Sequence, residues 1–360
     1  MKPVNTSKPP ISVVVIGLNV APFLEDCLHA LKKSRYPQDK LEIIYADSGS
    51  TDGSQLIASR FDGVKLVEMK TGSPSAAKGR NLGAEVATHD IIQFVDADSY
   101  LHPDWLGQAV KMLNENVAAV AGTLRERFPT KNIFHQMADL EWNLRVGPRG
   151  WTTSHVEAKT FGGNVMMQAE VFRTLRGYDE KLRAGEDPDM SYRLRQLGKK
   201  ILRLNVEMAS HDINIDTLGK FLKRTKRSGY AYTQLAWRYI ATPERYMANR
   251  VMRILVSGST PLGLLILGWV YGQLFLGSLL ALLFAFRLVF KAGKYGRMFG
   301  IKTRHALMYS LYLTLAIYPQ YLGLLQAARQ ILFEYLRFGR MNKTPLSGGS
   351  KSLRLNTLNS

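Results

Sequence analysis

The sequence is poor in cysteine, in acidic side chains and in the marks of an exported chain, and each shortage removes a class of explanation. One of the 360 residues is cysteine, which excludes an internal disulfide. Cys27 shares helical spacing with Leu24, Leu28 and Leu31, as a small core residue does and a nucleophile need not. Acids are outnumbered: 29 Asp+Glu stand against 48 Lys+Arg, a formal net charge of +19. That surplus directs the chain toward anionic partners such as phosphates or acidic lipid headgroups. No recognised nucleic-acid motif accompanies it, so nucleic acid is not an expected partner. The N-terminal "MKPVNTSKPP" has no apolar h-region, and export is not expected. Internal repeats are also missing.

What is present divides in two. Up to about residue 240, apolar runs of strand length alternate with helical patterns. Strands are predicted at 11–17, 41–46, 64–69 and 91–95. Helices are predicted at 21–34, at 73–87 with Ser73 as N-cap and Pro74 at its first position, and at 102–116. Near-continuous apolar strands separated by helices predict an α/β fold, a mainly parallel sheet covered by helices on both faces. Ligands of such sheets bind beyond the carboxyl ends of the strands.

Two acidic clusters fall on that rim, "ADSGSTDGS" (46–54) after the second strand and "DADS" (96–99) after the fourth. Asp96 and Asp98, two apart on an extended chain, share one side. Two unpaired carboxylates so close repel one another, and a hard divalent cation relieves the repulsion. The alternative is that Asp98 caps the next turn while Asp96 is merely solvated. The window alone leaves both open.

"ADSGSTDGS", "AAKGRNLGAEVA", "FVDADS", "FGGNVMMQAEVFRTLRGYDE" and "GEDPDMSYRLRQLGKKI" occur in the order and rough spacing of the family 2 glycosyltransferases of the GT-A fold, which the chain resembles over about residues 10–235. The resemblance implies transfer of a sugar from a nucleotide diphosphate donor, with inversion and the help of Mg2+ or Mn2+. Carried over residue by residue, it puts Asp47 on the donor base, Asp96 on the ribose, and Asp98 on the metal. His211 would reach the metal or diphosphate. Lys78 and Arg80 would neutralise the diphosphate, and Gly162, Gly163 and Asn164 would shape the donor-sugar and acceptor pocket. Ser48 stands where many relatives have a second Asp. Inversion needs a general base, which the family pattern puts on Asp187, with Glu186 as alternative. Against this, Pro188 suits the first position of a helix, and Asp187 would then be its N-cap.

The second part is apolar. From 254 to 290 one charged residue, Arg287, interrupts a run long enough at ~1.5 Å per residue to cross a ~30 Å hydrocarbon layer. A hairpin of two transmembrane helices turning near Gly272–Gln273 is expected, with the basic loop 287–304 cytoplasmic. A further apolar segment at 306–325 is expected to be re-entrant or interfacial around Pro319. The segment 218–240 reads as a basic amphipathic helix at an anionic membrane. The expected organisation is a flexible N-terminus (1–10), a catalytic domain (11–240), a membrane region (254–335) and a basic flexible tail (337–360). The catalytic domain is expected at the cytoplasmic face of the cell membrane. The absence of Gln-x-x-Arg-Trp favours single addition over polymerisation. The expected partners are a nucleotide sugar, a lipid-linked or glycan acceptor and anionic lipids. A polyprenyl-phosphate sugar synthase is the nearest alternative. A catalytically inactive nucleotide-binding membrane module is another.

Overall fold

The computed structural model describes residues 8–70, 73–143, 154–270 and 274–338. Its strands are β1 (Ile11–Gly17), β2 (Leu41–Asp47), β3 (Val64–Glu68), β4 (Ile91–Asp96), β5 (Ser99–Leu101), β6 (Val117–Glu126), β7 (His155–Ala158), β8 (Val165–Gln168) and β9 (Lys200–His211). Its helices are α1 (Ala21–Lys32), α2 (Ser54–Ser59), α3 (Ala76–Glu85), α4 (Trp105–Ala109), α5 (Ile133–Asn143), α6 (Ala169–Thr174), α7 (Glu186–Gln196), α8 (Leu218–Arg238), α9 (Ala248–Val270), α10 (Leu274–Phe299) and α11 (Thr303–Phe338).

The strands form one sheet in the order β3-β2-β1-β4-β8-β6-β9-β5, with β7 on β9. The half built from β1 to β4 is parallel, as the apolar runs predict. The other half is mixed, a correction to the mainly parallel expectation. β8 runs antiparallel between β4 and β6, opposing Val165 to Phe94. It enters from the rim through the Gly162–Gly163 turn and so runs opposite to its neighbours. Two cores cover the sheet. One packs α1 and Trp105 of α4 against Val13, Val15 and Val95. The other packs Ala77 and Ala84 of α3, Phe172 of α6 and Met190 of α7 against Val14, Ile44 and Phe94. Cys27 lies in the first core as a free thiol. The helix expected at 102–116 is shorter, α4 followed by a 3-10 turn at Val110–Met112. Ser75, not Ser73, caps α3, its side chain accepting from the Lys78 N–H.

The C-terminal helices differ from the membrane region expected. Among the described residues no helix is long and apolar enough to cross a membrane. The proposed turn at Gly272–Gln273 lies outside the described residues. Polar groups break the run where the helices meet: Arg287 of α10 donates to Ser257 Oγ of α9 at 2.7 Å, and Lys291 Nζ to Thr314 Oγ1 of α11 at 3.2 Å. No re-entrant loop forms around Pro319, which sits inside the continuous 36-residue α11. The basic helix α8 buries Phe221, Gly229, Tyr230 and Leu235, so protein rather than lipid covers much of its inner face. α8 and α11 meet backbone on backbone. A Cβ on Gly229 would stand 2.0 Å from the Gln320 carbonyl oxygen, and one on Gly323 would stand 2.0 Å from that of Lys226. Only glycine permits such an approach. Tyr230 Oη donates to Gln330 Oε1 at 2.7 Å and locks the pair.

Candidate active site

The site begins with a register. β5 pairs antiparallel with β9, setting Ser99 opposite His211. Asp98, in the turn just before β5, reaches the imidazole, with Nε2 3.2 Å from Asp98 Oδ1. Asp98 Oδ1 and His211 Nδ1 are buried with no hydrogen-bond partner among the described residues. Burial pushes the His211 imidazole down, yet the Asp98 carboxylate, aided by Asp96, holds it above its ordinary value against the field of Arg224. Trp142 meets the imidazole edge-on at 5.2 Å between centroids. Asn164 fixes the turn between β4 and β5. Its Oδ1 accepts the Asp96 N–H at 3.0 Å and its Nδ2 donates to Ser99 Oγ at 2.8 Å. It is thus an internal brace as well as a rim residue.

Arg80 organises the acids beside this pair. Projecting from α3, its guanidinium reaches Asp96 Oδ1 at 2.8 Å, Asp187 Oδ1 at 3.2 Å and Glu186 Oε1 at 3.3 Å, with 3% of the side chain exposed. It also stands over the Tyr178 ring at 5.2 Å. Its charge is already matched within the protein, which leaves less of it for a diphosphate. Lys78, two residues earlier, turns back to the Ser73 carbonyl at 2.9 Å. Gly163 is required by this packing, since a Cβ there would lie 2.2 Å from Asp96 Oδ2 and 2.4 Å from Arg80 Nη2.

Glu186 and Asp187 occupy the first turn of α7. Gly185, at φ 88°, is the N-cap, so Asp187 is not tied up in capping. Burial raises the Asp187 carboxyl to about 7, Arg80 opposes, Glu186 and Asp96 add to the rise, and Arg227 opposes. Its Oδ1 has no hydrogen-bond partner despite the nearby guanidinium. A carboxylate titrating near neutrality is suited to taking a proton.

Asp47 has a different environment. It is fully buried and accepts from Tyr45 Oη, the N–H groups of Gly49 and Ser50, Ser50 Oγ and Gln55 Nε2. Its oxygens fold the loop after β2 rather than facing the cleft.

Two groups were not read from the sequence. Among the described residues, Glu126, His135 and Asp212 bring ligand atoms within 4.8 Å of one another. Glu126 Oε1 meets His135 Nδ1 at 2.8 Å and accepts the Phe128 N–H, while Oε2 accepts the Ile213 N–H at 3.0 Å. Asp212 Oδ1 accepts the Asn214 N–H at 2.7 Å. Backbone donors thus use these oxygens, and the cluster clamps the segment after β9 that carries His211. No motif surrounds His135 in "NIFHQMADLEW". The second group is Arg224 and Arg227 of α8, whose fields reach His211 and Asp187 respectively; they were read only as part of a basic amphipathic helix at an anionic membrane.

Comparison with known proteins gives this geometry a class. Residues 12–175, somewhat less than half of the chain, match the profile of the family described as Glycosyl transferase family 2. The chain is 25% identical over 234 residues to Glycosyltransferase AglE of Haloferax volcanii, covering 63% of this chain and 74% of that protein. It is 26% identical over 198 residues to the succinoglycan biosynthesis protein ExoA of Rhizobium meliloti, covering 52% of this chain and 59% of the relative, less than two thirds of its length. Among solved structures, a mannosyltransferase, PcManGT from Pyrobaculum calidifontis in complex with GDP-Man and Mn2+, superposes with a TM-score of 0.63. That superposition has 22% identity and covers 91% of this chain and 88% of the other, a likeness of fold. The relatives support a role in glycosyl transfer.

Proposed function

We propose that the chain transfers a sugar from a nucleotide diphosphate sugar to a hydroxyl of a lipid-linked or glycan acceptor, with inversion at the anomeric carbon. The observation that carries this reading is the convergence at the sheet rim of the Asp98–His211 pair with an Asp187 carboxyl raised to about 7. Asp98 and His211 would hold a divalent cation, the carboxylate Oδ1 and the imidazole Nε2, 3.2 Å apart, being a donor set of the kind such an ion takes. A carboxylate beside an imidazole matches manganese better than magnesium, which favours oxygen ligands alone. Such a metal supplies Lewis-acid stabilisation of the departing diphosphate. Asp187 would take the acceptor proton, and Glu186, sharing Arg80 with it, would help keep its carboxyl poised. Asp96 would meet the donor ribose, and the loop that Asp47 folds would meet the base. Lys78, Gly163 and Asn164 belong to the same donor pocket, Asn164 and Gly163 by shaping its floor.

The same reading puts the protein against the cytoplasmic face of a membrane without spanning it. Leu282, Phe286, Val289 and Phe290 of α10 and Leu332, Phe333 and Leu336 of α11 are all exposed, an apolar surface larger than a solvent-facing helix pair needs. The net charge of +19 suits anionic lipids.

A panel of nucleotide sugars incubated with the protein, Mn2+ and membrane extract tests the reading. Release of nucleoside diphosphate from one donor, with a product of inverted anomeric configuration by NMR, is expected. No release from any donor, or a retained configuration, would refute it.

A further inference from the structure

We propose that Glu126, His135 and Asp212 form a second metal site, separate from the Asp98–His211 pair, which takes one transition-metal dication such as zinc and pins the exit of β9. Three elements supply it. Glu126 ends β6 and is the ladder partner of His211. His135 lies in the first turn of α5, where Asn132 Oδ1 accepts the Phe134 N–H at 2.8 Å and the His135 N–H at 3.1 Å. Asp212 directly follows β9. Asn132 Nδ2 donates to the Ile215 carbonyl at 3.0 Å, so the start of α5 is tied to the segment that carries Asp212.

The distances suit a shared ion. His135 Nδ1 lies 2.8 Å from Glu126 Oε1 and 3.9 Å from Asp212 Oδ1, and one ligand atom from each residue falls within 4.8 Å of the others. Zinc bonds of about 2.1 Å to nitrogen and oxygen set ligand atoms roughly 3 to 4 Å apart. All three residues are buried, the His135 and Glu126 side chains completely. Two carboxylates gathered away from water repel one another, and a dication offsets both charges. One imidazole with two carboxylates matches zinc or manganese better than magnesium or calcium, which favour oxygen ligands alone.

The imidazole gives a second, independent sign. A hydrogen bond from Nδ1 to Glu126 Oε1 places the ring proton on Nδ1 and leaves Nε2 as a lone pair. Nε2 is buried with no hydrogen-bond partner among the described residues, and the group facing it, Asp216 Oδ1 at 3.8 Å, is itself an acceptor. An ion on Nδ1 reverses this arrangement. The proton passes from Nδ1 to Nε2 and points at Asp216, the Nδ1 lone pair goes to the ion, and no proton is released; an outer carboxylate of this kind commonly supports a metal-bound histidine. The oxygens have room as well. The Phe128 N–H takes one lone pair of Glu126 Oε1 and the Asn214 N–H one of Asp212 Oδ1, and each oxygen keeps another for the metal. Because Glu126 is paired with His211 on the ladder, an ion here fastens the backbone behind the rim site without touching the reacting atoms.

Zinc titration of the full chain, freed of metal by a chelator and carrying Asp98→Asn with His211→Gln to remove the rim site, tests the proposal. This background protein is expected to bind one equivalent of Zn2+ by calorimetry and to gain several degrees in Tm. X-ray absorption at the zinc edge should show one imidazole nitrogen and carboxylate oxygens at about 2.0–2.1 Å. Adding His135→Gln should abolish both the binding and the rise in Tm. Adding Asp212→Asn, which keeps an oxygen for the Asn214 N–H, should weaken zinc by about tenfold or more, and this milder variant decides the matter if His135→Gln does not fold. Failure of the background protein to bind zinc would overturn the proposal. So would bound zinc without an imidazole ligand, zinc that leaves Tm unchanged, or an affinity that neither added substitution alters.

Discussion

His211 Nε2 lies 3.2 Å from Asp98 Oδ1, and the residue after Asp98, Ser99, is the ladder partner of His211. Strand pairing thus anchors the backbone on both sides of this contact. A site built on a ladder is preorganised for its ligand.

Asp98→Asn should therefore keep the fold and lose metal-dependent turnover. Lewis-acid stabilisation contributes several kcal/mol, and each ~1.4 kcal/mol is about tenfold in rate, so a loss of at least about 100-fold is expected. Initial rates against Mn2+ concentration check this. Undiminished rates in the variant, or in wild type with EDTA, would refute the metal assignment.

The Asp187 carboxyl should shape the pH profile. A base raised to about 7 is protonated below that value, so kcat should rise with pH through about 7 and level above it. Arg80→Met removes the cation that opposes this rise, and the rising limb should move to higher pH. A limb that stays in place would exclude Asp187 as the base.

The same carboxyl bears on stability. Both states hold the proton below the ordinary aspartate range, the folded state alone holds it between there and about 7, and neither does above. The ionised folded form is thus disfavoured, at a cost that grows from about pH 4 to 7. Asp187→Asn should raise Tm at pH 8 and leave it nearly unchanged at pH 4, while abolishing transfer. Thermal melts at the two pH values decide the point.

Gly163→Ala should disturb the acid cluster directly, since the new methyl carbon would meet Asp96 Oδ2 and Arg80 Nη2. Overpacking of this kind costs about 1–3 kcal/mol. Donor affinity, read by nucleotide titration, should fall further than that of Gly162→Ala, where a Cβ meets nothing within 4 Å.

Much of this was legible in the sequence. Period and β-branched runs located β1 to β4, and the acids at the end of β4 marked the rim. The mixed half of the sheet was not legible, because "NVMMQ" carries no sign of its direction; the neighbours on either side set that. Asp47 has the spacing of a ligand, but five donors within its own neighbourhood take its oxygens. Arg80 could be seen as a cation but not as the shared partner of Asp96, Glu186 and Asp187, which lie far from it in sequence. The run of 254–290 showed Arg287 as its one charge but not the partner of that charge. In three dimensions that residue turns inward to Ser257.

The contact of Gly229 with Gln320 and of Gly323 with Lys226 leaves α8 and α11 no layer of side chains on which to slide. The two helices form a strut, and a tilt imposed on α11 from outside must also tilt α8, which carries Arg224 and Arg227. Any such tilt would move two guanidiniums whose fields reach His211 and Asp187.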